Sequence, residues 1–233
     1  MARDVSTDMS ATLDNPVWHA LTTKHRHASE GGDRARRYHA DISVFGALAD
    51  VDDASWRELA EVAGDGVVLV RADDVEPPAG WQTPFALPGR QMILSSPLPD
   101  LDVHGNQRPL TEADVPALLE LVELTQPGPM RPRTIELGTF TGVFDGDRLI
   151  AMAGRRFSLP GYVEISSVCT HPDVQRQGYA AALTAHVARE IVAEGDTPIL
   201  HVAITNDRAR RVYEALGFVT RTELMFKLVT PPR

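Results

Sequence analysis

The sequence has few of the features that mark secreted or membrane-spanning proteins. Its 233 residues include a single cysteine, Cys169, so no intrachain disulfide can form and no oxidising compartment is required. The first residues contain no apolar core behind a basic start, and no run of about 18 uncharged apolar residues occurs, so neither a leader nor a spanning helix is predicted. We therefore expect a soluble, cytoplasmic protein without a membrane partner.

Clustered positive charge is also scarce. The formal net charge is -9, from 23 Lys and Arg against 32 Asp and Glu, which disfavours a nucleic-acid partner because phosphate binding depends on clustered Lys and Arg. One basic island, residues 24–37, is predicted to be solvated surface. His25 and His27 lie within it, but no Cys or acidic residue joins them at a recognised ligand spacing, so no metal site is predicted.

The chain does contain enough apolar residues for a sizeable core. Hydrophobic residues make up 43% of the sequence, which suits one large α/β domain or two small ones. The segment SSPLPDLDVHGNQRP, residues 95–109, is rich in Pro, Ser, Gly and Asp and separates two segments that each alternate strand and helix patterns. We predict an N-terminal α/β domain of residues 1–105 and a second domain of residues 106–233.

The N-terminal segment has the weaker pattern. A helix is expected after Asn15 and Pro16, and another over residues 54–63, which follow acidic capping candidates. Strands are expected at GVVLVRA, residues 66–72, and at RQMILSS, residues 90–96, with a turn rich in Pro and Gly between them. This order indicates a small α/β layer.

The C-terminal segment has clearer signals. Thr111 and Asp114 have the spacing of a capping box before an apolar helical stripe, and Asp145-Gly146 marks a hairpin turn between two strands. Further strands are expected at YVEISSVCT, PILHVAI and FVTRTELMFKLV, with helices that begin at Gly178 and Asn206. This alternation predicts an α/β (α+β) fold, in which helices flank a central sheet.

The turn VQRQGYA joins a predicted strand to a predicted helix. Such a connection directs several unpaired amide N–H groups at one point near the positive end of the helix dipole, which is a site for an anion. Gly178 permits a positive φ, Ala180 leaves the first helical turn unobstructed, and Arg176 can add positive charge. The glycine patterns of dinucleotide-binding and P-loop folds are absent, and a plain strand-to-helix turn is the alternative interpretation.

Two segments together resemble a known family. The sequence SVCTHPDVQRQGYAAAL, followed by a strand and by NDRARRVYEALGF, resembles the GNAT superfamily of N-acyltransferases, whose signature Arg/Gln-x-x-Gly-x-Gly/Ala is met by Gln175, Gly178 and Ala180. The resemblance covers roughly residues 109–228 and implies the GNAT fold, a mixed central sheet flanked by helices. For residues 1–105, a degenerate copy of half a GNAT domain is one interpretation. We expect this part to bind no cofactor of its own and to cover or shape the acceptor pocket.

The resemblance also implies a set of residues that bind acetyl-CoA. Three residues of the strand before the turn would pair with the pantetheine arm, residues of the turn and the following helix would cradle the pyrophosphate, and two residues of the later helix would contact the cofactor. In that order these are Val168, Cys169 and Thr170; Gln175, Arg176, Gln177, Gly178, Tyr179, Ala180 and Ala181; and Asn206 and Ala209. Asn206 is also expected to cap its helix.

Two residues are predicted to take part in the chemistry. The resemblance implies that Tyr213 protonates the departing thiolate; its phenol has a pKa of about 10 and the thiol a pKa near 8.5, so the proton transfer is only modestly uphill. The alternative is that Tyr213 only packs in the core. Glu164 is predicted to be the general base, directly or through a water, because it precedes Gln175 by the spacing of the catalytic glutamate in the histone acetyltransferase branch of the family. Alternation would place Glu164, Ser166 and Val168 on one strand face. The alternative is an ordinary strand glutamate that faces solvent.

These residues lead to one main functional expectation. We expect an N-acetyltransferase in which the primary amine of a small molecule or amino-acid-like substrate attacks the thioester of acetyl-CoA directly. A non-catalytic acyl-CoA binding or sensing module and a transferase for a longer acyl chain, or onto a hydroxyl, remain alternatives. Cys169, His171 and His201 are interpreted as structural. The net acidity mildly favours a cationic amine, and the protein is expected to be a monomer or a homodimer.

Overall fold

The computed structural model describes residues 12–232. Its main helices and its strands alternate along the chain, with short 3₁₀ turns between some of them. The helices are α1 (Pro16–Thr22), α2 (Asp53–Val62), α3 (Val115–Thr125), α4 (Tyr179–Ala193) and α5 (Asp207–Ala215). The strands are β1 (Ser29–Gly31), β2 (Ala35–Tyr38), β3 (Gly46–Leu48), β4 (Val67–Arg71), β5 (Gln82–Leu94), β6 (Asn106–Pro109), β7 (Phe140–Asp145), β8 (Arg148–Leu159), β9 (Tyr162–Thr170), β10 (Thr197–Ala203) and β11 (Phe218–Thr230).

An eight-stranded mixed sheet forms the centre of the molecule. Its strand order is β4-β11-β5-β10-β9-β8-β7-β6, and a smaller sheet has the order β1-β2-β3. In the large sheet β9 and β10 are parallel and every other neighbouring pair is antiparallel. Helix α4 connects β9 to β10, as a parallel pair requires. The predicted mixed sheet flanked by helices is confirmed.

The large sheet includes strands from both sides of residue 105. Strand β5 lies between β10 and β11, where Ile93 is opposite Ile199 and Leu87 is opposite Phe226. Strand β4 pairs with the other edge of β11. The division predicted near residue 105 therefore does not separate two sheets, and the N-terminal segment completes the sheet of the C-terminal one.

Strand β5 is longer than the sequence pattern predicts. It begins at Gln82, within the segment expected to be a turn, and it contains Pro84 and Pro88. Strand β10 pairs with β5 only from Gly89 onwards. The earlier part of β5 is therefore an edge strand on that side, where a sheet tolerates proline.

The two faces of the large sheet are covered by different parts of the chain. On one face α4 and α5 bury an apolar core that includes Ile165 and Leu200. On the opposite face the core contains Ile199 and residues of α1 and of the segment from β2 to β3, among them Phe45. A bridge from Phe45 to Val68 links this N-terminal layer to the large sheet. Side chains of alternate residues on β9 and β10 consequently enter separate cores.

Local signals in the C-terminal segment are confirmed. Thr111 and Asp114 form the capping box, with the Thr111 amide 2.8 Å from the Asp114 carboxylate. Gly146 has a φ of 59° in the hairpin between β7 and β8. Within residues 12–232 no helix is both long and apolar enough to span a bilayer.

The basic island is not simply solvated surface. Arg36 and Arg37 are both buried in β2. Arg37 donates hydrogen bonds to the carbonyl oxygens of Val62 (3.2 Å) and Ala63 (2.8 Å), where α2 ends. A guanidinium at a helix C-terminus satisfies free carbonyl groups and is favoured by the helix dipole. The surface prediction is therefore wrong for these two arginines.

Candidate functional site

Strands β9 and β10 separate part of the way along their length. Their parallel ladder runs only as far as Ile165 and Leu200. Beyond this point β9 continues to pair with β8, and β10 with β5. Residues 166–170 and 201–203 therefore present facing edges that do not pair with each other. A cleft of about 580 Å³ opens at this divergence.

A bulge shapes the β9 side of the cleft. Ser167 has a φ of 54°, and no residue of β8 lies opposite Ser167 or Val168 in the described register, which passes from Ser166 to Cys169. All four residues from 166 to 169 line the cleft. The predicted strand alternation therefore fails here, because a bulge turns successive residues in the same direction. A non-glycine residue in the left-handed region is a strained conformation that often occurs at functional sites.

The turn before α4 has the geometry of an anion site. Gly178 caps the helix with a φ of 90°, and no described side chain caps the helix at this end. The amide of Ala182 bonds to the Gly178 carbonyl, so the amides of residues 179–181 have no intrahelical acceptor. A Cβ added to Gly178 would have nothing within 4 Å, so backbone conformation rather than crowding requires glycine there. Arg208 of α5 donates to the Gln175 side chain at 3.0 Å.

Helix α5 forms another wall of the cleft. The Asn206 side chain accepts a hydrogen bond of 3.0 Å from the Ala209 amide, which confirms its capping role. Tyr213 is buried beside Cys169, and burial, with added repulsion from Cys169 and Glu164, raises the pKa of Tyr213 to about 12. The phenol is therefore neutral at ordinary pH and can donate a hydrogen bond. Its hydroxyl has no hydrogen-bond partner within residues 12–232.

The structure brings most of the predicted cofactor residues together. Eight of the fourteen predicted site residues line the cleft, and Arg176, Gln177, Gly178, Tyr179 and Ala181 belong to the adjoining turn and the first helical turn. The eight are Val168, Cys169, Thr170, Gln175, Ala180, Asn206, Ala209 and Tyr213. Burial raises the pKa of Cys169 to about 11, so its sulfur stays a thiol and packs as expected.

Glu164 does not line the cleft. It is fully buried, and its carboxylate accepts hydrogen bonds from Arg156 Nε (2.9 Å) and Nη2 (2.6 Å) and from His201 Nδ1 (2.6 Å). Burial acts to raise the pKa of Glu164, but the charge of Arg156 and the hydrogen bonds from Arg156 and His201 outweigh it and lower the pKa. The carboxylate is thus enclosed by Arg156 and His201, and the general-base role of Glu164, directly or through a water, stays a prediction. The alternative of a glutamate that faces solvent is wrong.

His201 is held by hydrogen bonds on both ring nitrogens. Arg221 Nε donates to Gln91 Oε1 at 2.5 Å, which orients the Gln91 amide so that its nitrogen lies 3.0 Å from His201 Nε2. His201 Nε2 must then accept, and Nδ1 carries the proton that it donates to Glu164. His201 lines the cleft, but the lone pair on its Nε2 already accepts a hydrogen bond from Gln91. This supports the structural interpretation of His201.

Sequence reasoning missed the apolar region of the cleft, which is built from distant segments. Its wall comprises Phe45, Val68, Phe85, Leu87 and Phe226. Arg156 also lines this region, with its guanidinium carbon 4.7 Å from the ring centres of both Phe45 and Phe157. The contact between Arg156 and Glu164 could have been predicted, because the hairpin between β8 and β9 brings residues near 156 alongside residues near 164.

The described residues offer no obvious metal site. Within residues 12–232, no group of three or more His, Cys, Asp or Glu side chains is placed to hold a metal ion.

Comparisons with known proteins point to one family. The family model described as FR47-like protein matches residues 140–226. A protein from Novosphingobium aromaticivorans, assigned as an acetyltransferase of the GNAT family, is 34% identical, with a TM-score of 0.87 over 95% of this chain and 99% of that one. A GCN5-related N-acetyltransferase from Kribbella flavida shares the fold at 13% identity, with a TM-score of 0.64 over 99% of this chain and 97% of that one. No curated protein matches the chain.

Proposed function

The chain belongs to the GNAT superfamily of acetyltransferases, and from this premise we propose that it transfers the acetyl group of acetyl-CoA to the primary amine of a small-molecule or amino-acid-like acceptor. The main support is that the facing edges of β9 and β10 and the uncapped start of α4 border a single cleft. An extended amide-containing chain and an anion at its end would be bound together there.

The described residues fit a CoA thioester. The unpaired edges at residues 166–170 and 201–203 offer backbone groups to the amides of pantetheine. The free amides of residues 179–181 face the same way as the helix dipole and suit the pyrophosphate. The Thr170 hydroxyl is buried in the cleft wall and has no hydrogen-bond partner within residues 12–232, so a bound cofactor could satisfy it. When bound, acetyl-CoA supplies an activated acyl group.

Tyr213 is suited to assist the departing sulfur. Amide formation joins the amine nitrogen to the acyl carbon and breaks the C–S bond, so the amine loses a proton and the sulfur gains one. With the pKa of Tyr213 raised to about 12 and a thiol near 8.5, full proton transfer from the phenol would cost about 5 kcal/mol. Tyr213 therefore stabilises the sulfur mainly by a hydrogen bond as negative charge develops.

Among residues 12–232, the cleft has no free general base. Glu164 and His201 are both occupied by hydrogen bonds within the protein, so the acceptor amine must arrive unprotonated. For this reason kcat/KM should rise with pH and level off near the pKa of the acceptor amine itself. Two acceptors with different amine pKa values should level off at different pH values.

A free-thiol assay with acetyl-CoA and a panel of amines, amino acids, polyamines and aminoglycosides tests the proposal. We expect thiol release above the rate without acceptor for at least one compound, with the acetylated product identified by mass spectrometry. Binding of acetyl-CoA with no release to any amine would contradict the proposal and favour the non-catalytic module. Faster thiol release from longer acyl-CoA thioesters than from acetyl-CoA would show that the donor carries a longer acyl group.

A further inference from the structure

The charges in the cleft differ in sign from the charge of the whole protein. The net charge of the chain is -9, yet within residues 12–232 the cleft is lined by no Asp or Glu, and its charged side chains are Arg156 and Arg208. Arg208 is bonded to Gln175 in the turn that precedes α4. Among residues 12–232, Arg156 is therefore the cation of the apolar region, which remains for the acceptor when the strand edges and the turn hold acetyl-CoA.

Arg156 retains unused hydrogen-bond donors. A guanidinium has five N–H groups, and Glu164 takes one from Nε and one from Nη2. Nη1 has no hydrogen-bond partner within residues 12–232. A Cβ on Gly128 would lie 4.0 Å from Nη1, and Gly128 belongs to the loop that lines the cleft. Nη1 and the second N–H of Nη2 form the end of the guanidinium, which suits a carboxylate that binds through two oxygens.

The position of this guanidinium is fixed before any ligand binds. Two hydrogen bonds to the buried Glu164 carboxylate and contacts with the faces of Phe45 and Phe157 restrain its plane. Arginine is the residue best suited to such planar, preorganised recognition of a carboxylate. Glu164 thus acts as a positioning residue for Arg156.

We propose that Arg156 binds a carboxylate of the acceptor, so that the acceptor is an amino acid or a related amino carboxylate with an apolar body. This inference rests on the proposed acetyl transfer and names its substrate class. A polyamine or an aminoglycoside would bring further cationic groups into a cleft whose described lining, within residues 12–232, offers them no carboxylate. The net acidity of the protein, which favoured a cationic amine, does not extend to this pocket.

Matched acceptor pairs test the proposal. We would measure kcat/KM, expressed per unprotonated amine, for leucine against isoamylamine, phenylalanine against phenethylamine, and glycine against methylamine. Charge-assisted hydrogen bonds predict that the wild-type protein prefers the carboxylate member of at least one pair by about 10- to 100-fold. Arg156→Gln should reduce that ratio to about threefold or less.

Controls separate recognition from structure. Arg155→Gln removes the neighbouring arginine of β8, which pairs with Glu190 and Glu194 instead, and it should keep the wild-type ratio. Because Arg156→Gln leaves Glu164 buried without its partner, the double variant Arg156→Gln with Glu164→Gln removes both charges and should lose the ratio in the same way. Calorimetric titration of leucine and isoamylamine onto the CoA-bound protein provides a readout that needs no turnover.

The outcomes distinguish this inference from the proposed function. Equal wild-type kcat/KM within every pair, a preference for polyamines, or a ratio that survives in both Arg156 variants would overturn the carboxylate assignment while acetyl transfer stands. Absence of thiol release with every amine would overturn acetyl transfer. In that case tighter binding of leucine than of isoamylamine, lost in Arg156→Gln, would still support the carboxylate site, and equal binding would overturn it.

Discussion

The turn region and the apolar region of the cleft offer a ligand different chemical groups. The turn region, residues 175–181 with the facing edges of β9 and β10, offers mainly backbone groups. The apolar region around Phe45 and Arg156 offers side chains, and these come from several strands and a loop. A ligand shared by a whole family can be bound by backbone geometry, whereas an acceptor that differs among relatives has to be recognised by side chains. Substitutions should therefore affect the two regions in different ways.

The largest expected effect concerns stability in the apolar region. Glu164→Gln should lower the free energy of unfolding at pH 7 by about 3 to 5 kcal/mol, because it leaves the Arg156 charge buried without its partner. The matched change Glu194→Gln removes a partner of the neighbouring Arg155, but the Glu194 side chain is 54% exposed, and it should cost less than about 1 kcal/mol. Urea unfolding of the three proteins measures the difference.

The same comparison has a defined pH dependence. The folded pKa of Glu164 lies below its ordinary value of 4.5, so the stabilising effect of the carboxylate is fully present above pH 4.5 and is lost as the pH falls towards the folded pKa. The gap between wild type and Glu164→Gln should thus narrow in unfolding measurements below pH 4.5. A gap that stays constant from pH 7 to the acid limit would show that the Glu164 charge does not stabilise the fold.

An intermediate effect is expected between the two regions, at Tyr213. Tyr213→Phe should lower kcat about 100-fold, because it removes a hydrogen bond to the departing sulfur, and should change stability little, since the hydroxyl has no partner within residues 12–232. Tyr162→Phe, on β9 and outside the cleft, is the matched control and should keep wild-type kcat. Steady-state kinetics with a saturating acceptor would decide. Equal kcat for wild type and Tyr213→Phe would remove Tyr213 from the chemistry.

The smallest expected effect lies in the turn region. Gly178→Ala places a Cβ on a residue with φ of 90°, which costs about 1 to 2 kcal/mol of backbone strain, and it should raise KM for acetyl-CoA about tenfold by disturbing the free amides. Gly195 ends the same helix with a φ of 88°, and an added Cβ there also meets nothing within 4 Å. Gly195→Ala should show the same strain in thermal unfolding with an unchanged KM. A raised KM in both variants would assign the effect to general destabilisation.

The same contrast explains what could be predicted from the sequence. A backbone-built anion site requires a residue with positive φ and a small residue after it, so Gly178 and Ala180 leave a local signature. The cap formed by Asn206 is equally local. Phe45 and Val68 meet in the apolar region only because the N-terminal segment packs on the large sheet, and no local pattern encodes that contact. The spacing to Gln175 singled out Glu164 in the sequence, but it did not predict that Arg156 and His201 enclose the carboxylate.

Elements of the fold were missed for related reasons. Strand β2 contains Arg36 and Arg37. A charged pair next to other basic residues is typical of surface, whereas here their side chains donate to the backbone carbonyl groups of Gly32 and Ala63. The sequence pattern predicted too short a β5 because Pro84 and Pro88 lie within it and proline normally interrupts a strand. Proline is tolerated here because one edge of this part of β5 is free. The helices and hairpins of the C-terminal segment depend on near neighbours and were found.

The position of β5 also constrains how the protein is made. Gln91 of β5 and His201 of β10 are neighbours in the sheet although they are 110 residues apart. During synthesis β5 leaves the ribosome long before β10 and β11 exist, so it must remain unpaired on both edges until the chain is almost finished. Such long-range pairing slows folding and prolongs the exposure of strand edges. Removal of residues 1–105 to isolate a smaller enzyme would leave β10 and β11 without the strand between them.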